Sequence, residues 1–278
     1  MKIGDAYGEM MLAALESDAE GIEIVERDSG LIMASRFGPE YYFAPYRKWP
    51  SRQRRALRLA RGRVLDVGAG AGRVALHFQE KGHDAVAIDA SLGTTEVCRR
   101  RGVRDARVMR IEEVDESLGN FDTVIMFGNN LGLLASRTKA PRILERLDRI
   151  TTGRARILGE CTDPYSTEDP IHLAYHERNR KRGRMGGQLR IRIRHRETAS
   201  PWFDYLFLSR PELEELLEGT GWKLTRMIED DTPVYVAVIE KEPRAPASRS
   251  GLRARPSSAT SRSSGRRPGR SGRASSPG

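Results

Sequence analysis

Apolar residues recur with two periods along this chain. From residue 63 to residue 239, short β-branched runs take turns with stretches whose apolar positions return every three or four residues, the signatures of strands and helices. Residues 63–67, 84–89, 106–110, 121–127 and 154–161 predict strands. Helices are predicted over 71–81, 91–101 and 140–150. Gly82 and Gly102 stop the first two, and the third carries Ile143, Leu144, Leu147 and Ile150 on one face. Strand and helix units of this length wind into a parallel sheet with right-handed crossovers. Further on, Ser209, Pro211 and Glu212 have the form of a capping box and open a helix bearing Leu213, Leu216 and Leu217. Residues 222–228 and 234–239 follow with no crossover helix between them, so they predict an antiparallel hairpin. The expected architecture is α/β: a doubly wound, mostly parallel seven-stranded sheet closed by an antiparallel C-terminal hairpin, with an inserted helix-plus-hairpin cap.

The insertion spans residues 163–208. Asp169 and Pro170 start a predicted helix running to about Arg182. Residues 188–196, QLRIRIRHR, alternate strictly, with Leu189, Ile191 and Ile193 on one face and Arg190, Arg192, Arg194 and Arg196 on the other. Residues 202–208 return beside them, and such a hairpin is expected over the carboxyl ends of the strands, where open α/β sheets bind ligands. Near the N-terminus, residues 5–17 predict a short helix, and residues 22–27 and 31–36 flank a turn at Asp28, Ser29 and Gly30. The aromatic, proline-broken stretch 38–50 is too irregular for strand or helix. Its Tyr41, Tyr42, Phe43 and Tyr46 either form a lid over the site or pack the N-terminal segment onto the domain. The division expected is a lid at 1–50, a sheet domain at 51–242 and a tail at 243–278.

Charge changes the picture only in that tail. It holds nine arginines and no acid, so it carries +9 of the net +10, and the preceding 242 residues are close to neutral. Its Arg, Ser, Gly, Pro and Ala composition buries too little to offset the entropy of folding, and it is expected to be disordered. Arginines of this kind can anchor RNA or DNA, but no aromatic residue is interleaved to stack on bases, which favours a solvated extension. Cys98 and Cys161 have no metal-ligand or redox spacing and fit a reducing, cytoplasmic setting. No run approaches about 18 apolar residues, so no membrane span is expected. A homodimer stays open.

The chemistry concentrates in VLDVGAGAG at 64–72 and AIDA at 87–90. Gly68, Gly70 and Gly72 permit a tight turn against a ligand. Asp89, ending the second strand, is placed to accept the hydroxyls of a ribose. Nicotinamide and flavin enzymes carry glycines at the same place, but they want a bare helix N-terminus for a pyrophosphate. Here Asp66 stands two residues before the first glycine and suits a cofactor bearing an ammonium or sulfonium. With FDTVIMFGNN at 121–130 as the fourth strand, these residues resemble the class I S-adenosylmethionine-dependent methyltransferases.

That resemblance implies a methyltransferase using S-adenosyl-L-methionine and releasing S-adenosyl-L-homocysteine. It implies Asp66, Gly68, Ala69, Gly70 and Gly72 around the methionine part and Asp89 with Ala90 at the ribose. At the adenine, where the family often has an acid, the best-aligned residue is Arg110, and Glu112 two residues on substitutes for it. Ile111, Phe127, Asn129 and Tyr42 complete the cofactor set. The fourth strand lacks the N-P-P-Y type of ending, which argues against DNA adenine methylation and is similar to small-molecule members. An RNA methyltransferase using the tail and a non-catalytic cofactor-binding module are the alternatives.

Candidate catalytic residues are Asn130, placed to hydrogen-bond the acceptor or else to shape a turn, and His172 and His176, four apart on one helix face. Either histidine serves as general base or lies on the helix surface. Glu160, ending the fifth strand, is a further pocket candidate. No third ligand accompanies the histidines, so no metal is expected.

Overall fold

The structure, a computed structural model, describes residues 1–17, 22–35 and 38–242. The expected disorder of 243–278 lies outside them. In chain order the strands are β1 (Lys2–Ile3), β2 (Ile24–Arg27), β3 (Ile32–Ala34), β4 (Val64–Val67), β5 (Ala85–Asp89), β6 (Asp105–Val108), β7 (Phe121–Met126) and β8 (Thr151–Thr162), then β9 (Gln188–His195), β10 (Thr198–Ala199), β11 (Phe203–Leu206), β12 (Trp222–Glu229) and β13 (Val234–Lys241). The helices are α1 (Ala6–Ser17), α2 (Pro39–Phe43), α3 (Ser51–Leu57), α4 (Arg73–Glu80), α5 (Leu92–Arg100), α6 (Ala140–Arg149), α7 (Pro170–Lys181) and α8 (Arg210–Leu217).

Seven strands form one sheet in the order β12-β13-β8-β7-β4-β5-β6. Strands β4 to β8 run parallel, and β13 and β12 close the edge antiparallel. The predicted sheet is therefore present, topology included. Its central strands are mostly apolar because helices cover both faces. Val124 and Met126 of β7 join the core under α6 and α8, while Ile125 joins the opposite core with Phe78 and Trp49. The capping box forms as the sequence implies: the Glu212 carboxylate accepts from the Ser209 backbone N–H at 3.1 Å, and Tyr235 donates to the Leu208 carbonyl just before it at 2.7 Å.

A second sheet of six strands joins segments far apart in sequence. Its path is β1-β10-β9-β2-β3, with β11 also on β9. The inserted strand β9 pairs antiparallel with β11, as expected, but its other edge takes β2 from the N-terminal hairpin. The arginines of β9 are paired in place: Arg192 forks onto Glu26 at 2.8 and 2.9 Å, Arg194 lies 3.6 Å from the same carboxylate, and Arg190 reaches Asp204 at 3.2 Å. The stretch 38–50 departs from expectation. Pro39 at the first helical position, with Glu40 beside it, starts the short helix α2, and the 3₁₀ turn Tyr46–Lys48 follows Pro45. One or two turns are too short for a hydrophobic period to register, which also hid α3.

Candidate functional site

The carboxyl ends of β4, β5, β7 and β8 meet in one place. After β4 the chain turns through Gly68, Gly70 and Gly72, all with φ between 56° and 74°. Left-handed backbone of this kind favours glycine. A Cβ at Gly68 would overlap the Asn130 side-chain amide, and one at Gly72 would stand 2.7 Å from Val103. Asp66, 2% exposed, accepts from the Ala75 backbone N–H at 3.2 Å and so ties the loop to the first turn of α4. Burial pushes its carboxyl up to about 7. Asp89 accepts from the Gly70 N–H at 3.0 Å and the Ser91 N–H at 2.9 Å, and burial raises it to about 6.

Asn129 and Asn130 follow β7. Asn130 donates to the carbonyls of Val67 and Gly68 at 3.2 and 2.8 Å, so its side chain props the glycine loop. Asn129 adopts φ 65°, its side-chain oxygen accepts from Thr162 at 3.0 Å, and its carbonyl accepts from the Tyr205 hydroxyl at 2.6 Å. That last bond fastens β11 of the second sheet onto the end of the first. Glu160 on β8 is fully buried and accepts from Arg52 and Gln53 at 2.7 Å each and from the Gly128 N–H at 2.6 Å.

The aromatic stretch divides. Tyr42 stands over the loop, its ring 3.2 Å from a Cβ at Gly70, with the Tyr7 hydroxyl 3.6 Å from the same point. Tyr41 accepts from Gln53 at 2.7 Å, and Arg73 lies over its ring at 4.2 Å. Tyr46 stacks on His77 at 4.3 Å, and Phe43 takes Arg101, so these two pack the segment down. Tyr7, Tyr41, Tyr42 and Tyr205 all keep some solvent contact, yet burial raises the pKa of each, Tyr41 to about 12. Tyr42 meets Tyr7 edge-on at 5.6 Å and Tyr41 at 5.4 Å, so these rings form an aromatic wall beside the glycine loop.

The remaining sequence candidates show no side-chain contact with this cluster among the described residues. Ala69, Ile111 and Phe127 are buried in the protein, Ala90 is exposed, and Glu112 sits 3.6 Å from Arg110. The structure does not bring His172 and His176 to the glycine loop. His172 meets Arg27 at 3.3 Å and Asp169 at 3.9 Å, and His176 packs edge-on against Tyr165, with its pKa lowered by burial. Among the described residues no group of three or more His, Cys, Asp or Glu is placed to hold a metal. Sequence reasoning passed over Tyr7, Glu23, Arg52, Gln53 and Arg73. Only Arg73 had a local signal, following the last glycine directly.

The Methyltransferase domain family matches residues 64–152, the stretch that holds the glycine loop, Asp89 and both asparagines. No curated protein matches the chain. Among solved structures, a S-adenosylmethionine-dependent methyltransferase from Bacteroides fragilis in complex with S-adenosyl-L-homocysteine is 26% identical, with a TM-score of 0.72 over 85% of this chain and 94% of that one. A S-adenosylmethionine-dependent methyltransferase from Clostridium acetobutylicum (11% identity, TM-score 0.52, 72% of this chain and 93% of that one) and the CcbJ methyltransferase from Streptomyces caelestis (16%, 0.50, 70% and 94%) share the fold. Sheet order, glycine loop and the matched domain converge: residues 64–152 form a methyltransferase domain, and the chain has the fold of the class I S-adenosylmethionine-dependent methyltransferases.

Proposed function

We propose that the protein transfers a methyl group to a small-molecule acceptor held between the glycine loop and the second sheet. The Tyr205 to Asn129 bond carries this reading, because it holds β11 of the second sheet at the carboxyl end of β7, beside the glycine loop, a placement that supports a small acceptor enclosed between the two. The residues present fit the cofactor. The glycine turns leave room that a Cβ would fill, and Arg73, 7% exposed, has its Nη1 buried without a hydrogen-bond partner among the described residues. An amino acid end suits that pair of features: its carboxylate for Arg73, its ammonium for Asp66. Asp89 would take the ribose hydroxyls. S-adenosylmethionine, when bound, supplies a methyl group already activated as a sulfonium, so the chain's own residues chiefly align the partners and exclude water.

The deciding assay follows labelled methyl from S-adenosylmethionine into a host-cell extract, with the full chain and with residues 1–242. Label in the small-molecule fraction with both is expected; label in RNA that requires the tail would sink the reading.

Affinity for S-adenosylmethionine is expected to weaken as the pH falls from about 7.5 to about 5.5. Asp66 and Asp89, raised to about 7 and about 6 by burial, then carry protons that a cationic ligand must displace. Calorimetric titration at pH ~6.5 in two buffers of different ionisation enthalpy should register proton release. Identical heats in both buffers would contradict these assignments.

The two cysteines are buried and unpaired, which supports a reducing compartment such as the cytoplasm. No helix among the described residues is long and apolar enough to cross a membrane.

A further inference from the structure

Glu23 lies at the start of the strand that the N-terminal segment lends to the second sheet, and it is 8% exposed. A carboxylate so deep ordinarily has a cation against it, because an unpaired buried charge is costly. Among the described residues Glu23 has none. Its carboxylate accepts from the Tyr42 hydroxyl at 2.8 Å and hydrogen-bonds Ser35. Tyr42 packs edge-on in turn against Tyr7 at 5.6 Å, and the Tyr7 hydroxyl borders Gly70. Tyr205, on β11, is within electrostatic reach of the same carboxylate. An acid without a counter-ion among the described residues therefore stands with three tyrosines contributed by α1, α2 and β11, one side chain away from the glycine loop.

Tyrosine faces and a carboxylate together form a receptor for an organic ammonium, the rings attracting the cation and the acid pairing with it. The geometry points to Glu23 as the seat of an ammonium-bearing acceptor, an amine whose nitrogen receives the methyl; this inference rests on the methyl-transfer reading above. The Glu23 carboxylate takes one proton from the ammonium and frees the nitrogen lone pair. The N–C bond then forms as the C–S bond breaks, that bond's electron pair remains on sulfur, and the product departs as a protonated N-methylamine. Burial holds Glu23 at about 7, close to neutrality, as a group that both gives and takes a proton needs.

The test uses the full chain saturated with S-adenosyl-L-homocysteine and two probes of one shape, benzylammonium and benzyl alcohol, with affinities read by ligand-observed NMR. Wild-type protein is expected to bind the ammonium at least about ten-fold more tightly, and Glu23→Gln, which keeps an acceptor for Tyr42, to bring that ratio near one. No preference in the wild type, or a preference that survives in Glu23→Gln, would overturn the inference. Loss of S-adenosyl-L-homocysteine binding confined to Glu23→Gln would also overturn it, placing Glu23 in the cofactor's seat. Failure of the wild type to bind S-adenosyl-L-homocysteine would instead bring down the methyl-transfer reading, and this inference with it.

Discussion

Glu160→Ala is expected to destabilise the protein by about 3–5 kcal/mol, the usual consequence of leaving a buried charge without its partner. Three donors converge on this fully buried carboxylate: the Arg52 guanidinium, the Gln53 amide and the Gly128 backbone N–H. Arg52 is itself 5% exposed and would keep only Asp230, at 2.9 Å, as a counter-ion. The damage would spread. Gln53 also accepts from Arg73 at 3.0 Å and donates to Tyr41, so one carboxylate anchors α3, the start of α4 and the tyrosine wall to β8. Glu160→Gln retains an acceptor but turns an NH2 group toward donors, and should cost less, about 1.5–3 kcal/mol, as for a charged hydrogen bond. Urea unfolding of the two variants beside wild type reads both numbers. A loss below about 1 kcal/mol for the alanine variant would show that the cluster is not held by this charge.

The second large effect falls on ligand affinity rather than on the fold. Gly68→Ala should weaken S-adenosyl-L-homocysteine binding by about 100-fold or more, equivalent to roughly 2.7 kcal/mol. At φ 67° an alanine pays about 1–2 kcal/mol for left-handed backbone. Its methyl would also drive the Asn130 amide off the two carbonyls that it holds, and the loop would lose its shape. Gly82→Ala supplies the control. Gly82 has φ 82° and open space around its Cβ position, so this variant carries the backbone strain alone and should bind like wild type. Calorimetric titration of all three proteins separates the outcomes. Equal affinities would remove the glycine loop from the binding site.

How much of this was legible in sequence depends on distance along the chain. Strands of the main sheet and helices α4 to α6 announce themselves through neighbours two, three or four residues away, and the glycine loop through backbone needs that only glycine meets. The same holds for the Ser209 capping box, a pattern closed within four residues. The second sheet has no such local mark. Its β2 to β9 ladder joins Glu26 to Arg192, 166 positions apart, and an alternating strand does not name its partner. The site divides along the same line. Asp66 and Asp89 sit at fixed offsets from the glycines, whereas Glu23 and Gln53 owe their importance to what the fold brings against them. Asn130 stands out in the sequence for its position, and its contacts are with the loop's own carbonyls. The histidines of α7 share a helix face, but a face does not say what it faces.

The woven second sheet also sets an order of events during synthesis. Residues 24–27 emerge early, yet the edge they offer must wait for residues 188–195. At ribosomal speeds of about 5–20 residues per second that interval is roughly ten to thirty seconds. Strands β4 to β8 are all made within it, so the glycine loop can be built while the wall opposite is still missing. The sheet that carries the glycine loop is thus assembled first, and the second sheet closes last, from two pieces of chain that pair only with each other in place.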